Sequence, residues 1–165
     1  FELHPNDYKI LSENFSGLGR QVKAEMQNGF AGIKACLPPP TRRAVVLIDP
    51  PYEDKQDYDH VVKCIQDSLK RFAQGTYIVW YPILQRAEPD EMIQHLKALH
   101  VPDWLHVTLS IHAPSPEGFG MHGSGLFIIN PPWTLPKTLS ETMPVLRDLL
   151  GLDETAHFTL ESQIS

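Results

Sequence analysis

The sequence predicts an α/β domain built on one open, largely parallel sheet, and three observations carry that prediction. Strand-like runs at 44–48, 76–81, 104–112 and 126–129 alternate with helical periodicity over 58–72 and 89–99. Ala44-Val45-Val46-Leu47-Ile48 is five apolar residues long, the pattern of a parallel strand covered on both faces, and it runs directly into Asp49-Pro50-Pro51-Tyr52. The last two central strands are joined by a Pro/Gly-rich loop over 114–124 with no helix, so they should pair antiparallel. Strand, helix, strand, helix and a closing antiparallel pair is the plan of the later part of a Rossmann-like sheet, in which ligands sit past the carboxyl ends of the strands.

Each element has a local reason. Phe1-Glu2-Leu3 has the character of a strand end, and Pro5-Asn6-Asp7 starts a helix through about Phe15, stopped by Ser16-Gly17-Leu18-Gly19. Val22 to Met26 alternates weakly as a strand, Asn28-Gly29 is a turn, and Ile33 to Leu37 is a short helix ended by Pro38-Pro39-Pro40. Tyr58, Val61, Val62, Ile65, Leu69 and Phe72 recur at helical spacing and mark a core-facing amphipathic helix before Gly75. Thr76 to Tyr81 is aromatic and β-branched, hence a strand. Pro89 to Leu99 is a helix with acidic residues in its first turn. Trp104 to His112 and Leu126 to Ile129 are the antiparallel strands; Leu135 to Leu150 is a helix with Gly151 as its C′ residue; Phe158 to Ile164 is a terminal strand.

The chain has 165 residues, 42% hydrophobic and 21% charged, enough for one sizeable core, and 1–165 reads as part of a single domain. No run approaches a membrane span and none reads as a signal peptide. Two cysteines make no disulfide framework, so a reducing cytoplasm is the expected setting. A formal net charge of −6 excludes a protein that grips nucleic acid by bulk electrostatics; contacts to it would be local, with Arg42-Arg43 and Lys70-Arg71 as candidates beside their reading as solvated charges. Phe1 is no initiator residue. No glycine-rich turn follows a strand, because Ser16 to Gly19 follows a helix and Gly118 to Gly125 lies between two strands. The expectation is that the first strand and the glycine-rich half of the nucleotide site belong to residues outside this chain.

The turn after the Ala44 strand suits one chemistry. The exocyclic amine of adenine is a poor nucleophile, because its lone pair is delocalised into the ring, and an enzyme alkylating it should accept hydrogen bonds from both N–H groups. The two prolines hold the backbone extended, so the Asp49 carboxylate and the Pro50 carbonyl can form such an acceptor pair. Pro51 and Tyr52 would face the substrate, with Tyr52 as a stacking surface for the base. Glu2, at a strand end, is placed to bond ribose hydroxyls, and Asn28-Gly29 follows the next strand in order. Singly, each also fits an ordinary strand end or turn.

Asp49-Pro50-Pro51-Tyr52 is similar to the D-P-P-Y motif of S-adenosylmethionine-dependent amino-methyltransferases. Together with Glu2-Leu3-His4-Pro5, Asn28-Gly29-Phe30, Trp80-Tyr81-Pro82 and Gly123-Ser124-Gly125-Leu126 through Asn130-Pro131-Pro132-Trp133, it resembles the bacterial 23S ribosomal RNA adenine-N6 methyltransferase family, the J enzyme of the large-subunit methyltransferases. The resemblance spans nearly the whole chain. It implies a class I methyltransferase sheet, S-adenosylmethionine as donor, an adenine of 23S rRNA as substrate, and a monomer at full length. It also implies Asp49 for cofactor and substrate amine, Glu2 for ribose, and Asn28 and Gly29 for the cofactor base. One departure is Asn28, where the family usually has Asp.

Two competing features remain. Asn130-Pro131-Pro132-Trp133 also follows an apolar strand and resembles the N-P-P-[YFW] turn of other amino-methyltransferases; its position after an antiparallel strand favours packing instead. His106 and His112, six apart and so on one face of a predicted strand, could be joined by His4, Cys36 and Cys64 around a metal, but no spacing supports this and methyl transfer from a sulfonium requires none. The alternatives to an RNA-modifying enzyme are a non-catalytic nucleotide- or RNA-binding domain and a DNA adenine methyltransferase.

Overall fold

The computed structural model describes residues 1–165. The elements are α1 (Pro5–Phe15) with a 3-10 segment over Ser16–Gln21, α2 (Gly29–Cys36), β1 (Val45–Ile48), α3 (Gln56–Arg71), β2 (Thr76–Ile83), α4 (Glu88–Lys97), β3 (Trp104–Ser110), β4 (Gly123–Ile129), α5 (Leu135–Leu150) and β5 (His157–Gln163). The five strands form one sheet in the order β1-β2-β4-β3-β5. Only β1 and β2 run parallel, with Ile48 beside Val79; β4 is antiparallel to β2, and β3 is antiparallel to both β4 and β5.

The larger core lies on the face covered by α2, α3 and α4. Val61 and Ile65 of α3 and Leu96 of α4 are fully buried against Tyr77, Val79, Phe127 and Ile129. Each such side chain contributes about 1.5–3 kcal/mol by leaving water. The α3 stripe predicted from Tyr58, Val61, Val62, Ile65 and Phe72 is the buried one, and Asp57 and Asp59 in its first turn with Lys70 and Arg71 in its last complement the helix dipole. A smaller core of Leu105, Val107, Ile128 and Met143 sits beneath α5 on the other face.

Several expectations change. Val45 and Leu47 are 69% and 64% exposed, so β1 is covered on one face only. The cause is positional: β1 is the sheet edge and the helices of this chain pack on the face of Val46 and Ile48. Val22 to Met26 forms no strand; a single parallel bridge joins Met26 to Glu2, outside the five-stranded sheet. Asn28 caps a helix that begins at Gly29, several residues before the predicted Ile33. β3 ends at Ser110, leaving His112 beyond it. Gly151 has φ −60°, ψ 131°, so it is no left-handed cap; its need for glycine is steric, since an added Cβ would lie 2.7 Å from the Ala156 methyl and 2.8 Å from the Arg147 carbonyl oxygen.

Candidate active site

The turn at the carboxyl end of β1 is rigid at its aromatic end and open at its acidic end. Tyr52 holds φ 55°, a conformation uncommon for a bulky residue, and its surroundings account for it. Its ring is 3% exposed, centred 4.7 Å from Tyr58 of α3 and 6.5 Å from Trp80 of β2, and its hydroxyl donates to the Trp80 carbonyl at 2.7 Å. Burial pushes the phenol far above its ordinary range, so it remains a donor. This corrects the expected stacking role: a base cannot lie on a ring already enclosed, and Tyr52 instead anchors the turn to the neighbouring strand. Pro51 is exposed at the turn's tip.

Asp49 is the open end. Its side chain is exposed, and the one influence on its acidity is partial desolvation, which raises the pKa; no donor or cation holds it down. The Pro50 carbonyl accepts no backbone hydrogen bond. Carboxylate and carbonyl are therefore two unused acceptors on one fixed turn.

Glu2 and Asn28 are brought together by packing. Phe1 lies across α2, where a Cβ on Gly32 would fall 2.6 Å from its ring and one on Gly29 would meet its Cβ at 3.4 Å; the glycines let the chain's first residues close on this helix. The Glu2 amide donates to Glu25, and one Glu2 carboxylate oxygen accepts from the His4 amide at 2.7 Å, which fixes the side chain. Asn28 Oδ1 accepts from the Phe30 amide at 2.9 Å as the N-cap of α2. Capping needs only an acceptor oxygen, so Asn replaces Asp there without loss, and its amide N–H groups remain for a ligand.

The two ends of the site meet through α3. Phe30, beside Asn28, lies 5.7 Å from the His60 ring, and Tyr58, half a turn earlier on α3, packs on Tyr52. Between α2 and α3 is a cleft of about 290 Å³ lined by Asn28, Phe30, Lys34, His60 and Lys63 among others. Sequence reasoning missed this cleft, because the apolar stripe of α3 dominates its pattern and hides His60 and Lys63 on the outer face. Of the proposed phosphate contacts, Arg42 and Arg43 are exposed, whereas Lys70 is 3.8 Å from Asp67.

The competing features resolve by topology. The N-P-P-W turn follows the antiparallel strand β4, whose last residue Ile129 lies beside Tyr77 at the start of β2; Asp49 is at the opposite edge. Asn130 donates from Nδ2 to the Ala73 and Gly75 carbonyls at 2.8 Å each and accepts from Thr76 Oγ1 at 2.9 Å, so it closes the turn into β2. The histidines are not gathered either. His106 is buried in β3 with Nε2 2.7 Å from the Tyr81 hydroxyl, His112 lies past the strand near His122, His4 pairs with Asp7, Cys36 is exposed and Cys64 is buried in α3.

A sheet with a D-P-P-Y turn at the carboxyl end of a parallel strand and an antiparallel closing pair is the Rossmann-like fold of methyltransferase domains. A crystal structure of a Legionella pneumophila protein described as DUF519 has this fold with a TM-score of 0.83 and 27% identity, covering 98% of this chain and 59% of that one. The chain belongs to the family described as ribosomal RNA large subunit methyltransferase D, RlmJ, whose model matches residues 1–163. It is similar to two proteins named ribosomal RNA large subunit methyltransferase J. The one from Haemophilus influenzae is 45% identical over 160 residues and the one from Escherichia coli 41% identical over 159. These stretches are 97% and 96% of this chain, which spans 56% of the length of each relative.

Proposed function

We propose that the protein transfers a methyl group from S-adenosylmethionine to N6 of an adenine in 23S rRNA. The observation that carries this reading is the pair of unused acceptors, the Asp49 carboxylate and the Pro50 carbonyl, on a turn locked by Tyr52. Each accepts one N–H of the amine, which localises the nitrogen lone pair and aims it along the line of transfer. Tyr52 is a positioning residue in this scheme, and the exposed Pro51 offers the apolar surface against which the base rests.

The residues present fit the donor. S-adenosylmethionine supplies an electrophilic methyl on a sulfonium that leaves as a neutral thioether. Glu2 has one carboxylate oxygen outside its bond to His4 and would receive ribose hydroxyls; the Asn28 amide and the Gly29 backbone would meet the base, and the open Asp49 carboxylate would serve both donor and acceptor. After transfer the nitrogen releases a proton, and the Asp49 carboxylate and open solvent are beside it to take it.

The test is methyl transfer to 23S rRNA lacking the modification, by the protein at its full natural length, with nucleoside digestion and mass spectrometry to identify the methylated atom. Asp49→Ala should lower kcat by about 10² or more with folding retained. Near-normal turnover by that variant, or methyl found elsewhere than N6, would overturn the reading. A DNA oligonucleotide of the same sequence in a parallel reaction should accept no methyl.

A further inference from the structure

We propose that Phe119 stacks on a base within two or three nucleotides of the target adenine, providing an aromatic surface that the buried Tyr52 ring cannot; this rests on the reading of the protein as an RNA methyltransferase. Phe119 is placed by strand direction. β1 and β2 are parallel and Ile48 lies beside Val79, so Asp49 is level with Trp80 and points toward the rim where β2 ends three residues later at Ile83. Ile83, the last residue of β2, lies beside Gly123, the first of β4, and Gly123 lies beside Ser110, the last of β3. The loop from Ile111 to His122 therefore rises from the same sheet edge as Asp49. β4 is two strand spacings from β1, roughly 10 Å across the sheet, and the base of the loop lies three residues, roughly another 10 Å, further along the strands than Asp49, a direct separation of roughly 14 Å that two or three nucleotides cover.

The base of this loop is fixed and its tip is free. Ile111 N–H donates to the His122 carbonyl at 2.9 Å, His122 N–H to the Ile83 carbonyl at 3.3 Å, and Gln85 Nε2 to the Ser115 carbonyl at 2.9 Å. At the tip Phe119 is 79% exposed between Gly118 at φ 76° and Gly120 at φ 93°, with Met121 52% exposed beside it. The left-handed conformations at both neighbours present the ring outward and let it adjust. Recognition of single-stranded RNA rests on aromatic rings on which unstacked bases lie, and an enzyme acting on a base must part it from its neighbours. Trp133 is more exposed, at 87%, but stands at the opposite edge and serves as the control.

The experiment compares Phe119→Ala, Phe119→Leu, Phe119→Trp and Trp133→Ala in the protein at its full natural length, using an unmodified 23S rRNA fragment and measuring KM for RNA, kcat and the cofactor Kd. Phe119→Ala and Phe119→Leu should raise KM for RNA about 10-fold or more, while Phe119→Trp and Trp133→Ala stay near the parent and kcat and cofactor Kd hold. An unchanged KM in Phe119→Ala overturns the stacking role, as does parental behaviour of Phe119→Leu, which keeps the apolar bulk without the ring. Absence of any RNA methylation by the parent protein would overturn the underlying function as well, and so distinguishes the two failures.

Discussion

Asp49 differs from an ordinary surface carboxylate in being partly desolvated without being paired. Its neighbours raise its pKa, and nothing in the chain lowers it. Only the ionised form accepts its N–H of the amine at either oxygen and donates none, so activity should be lost as pH falls through the folded-state pKa of Asp49. That value lies above the usual carboxylate pKa of about 3.9. A kcat/KM profile should therefore bend down on its acid side above that point, and a profile flat to pH 4 would count against Asp49 as the acceptor. For folding the sign is opposite: a raised acidic pKa penalises the folded state at neutral pH, so Asp49→Asn should be at least as stable as the parent. The residues D-P-P-Y were legible as a site because prolines fix a backbone whatever surrounds them. The burial of Tyr52 was not legible, since it depends on Tyr58 and Trp80, six and 28 positions further along the chain.

At the scale of elements, β2, β3 and β4 are tied by a buried polar pair. The Tyr81 hydroxyl meets His106 Nε2, and the ring lies over Gly125, where an added Cβ would stand 2.3–2.4 Å from the Tyr81 ring and hydroxyl atoms. The ring cannot yield without breaking its bond to His106, so Gly125→Ala should destabilise by about 1–3 kcal/mol in denaturant unfolding. Trimming Tyr81 to Ala should make the two substitutions less than additive; full additivity would show that the clash is relieved elsewhere. Helices α3, α4 and α5 and the antiparallel β3–β4 pair were readable because their periodicity is local. The missing Val22 to Met26 strand was misread because alternation marks a strand only where a partner exists, and here a single bridge to Glu2 is the whole ladder.

Over the whole molecule, 20 acidic side chains outnumber 14 basic ones, yet the proposed substrate is a polyanion. Phosphate contacts must then be few, with the exposed Arg42 and Arg43 and the cleft's Lys63 among the cations outside ion pairs, whereas Lys34 lies 3.7 Å from Asp67. RNA affinity of the 165-residue chain should fall only gently with salt, and Arg42→Ala with Arg43→Ala should flatten the slope of log K against log salt by roughly 1.5. Submicromolar binding of an rRNA hairpin by this chain at physiological salt would mean that the contacts lie elsewhere. The order of motifs along the chain was visible in the sequence, whereas the sheet edge each one occupies was not, because strand direction emerges only from pairing.

The two prolyl turns make the same point through Asn130. Asp49-Pro50-Pro51-Tyr52 and Asn130-Pro131-Pro132-Trp133 are near-synonyms in sequence, but the reversed direction of β4 delivers the second to the far rim of the sheet, where its amide closes the turn into β2. Strand polarity thus works as an address: one short word, sent to opposite rims, becomes an open pair of acceptors at one and a bracket for the backbone at the other.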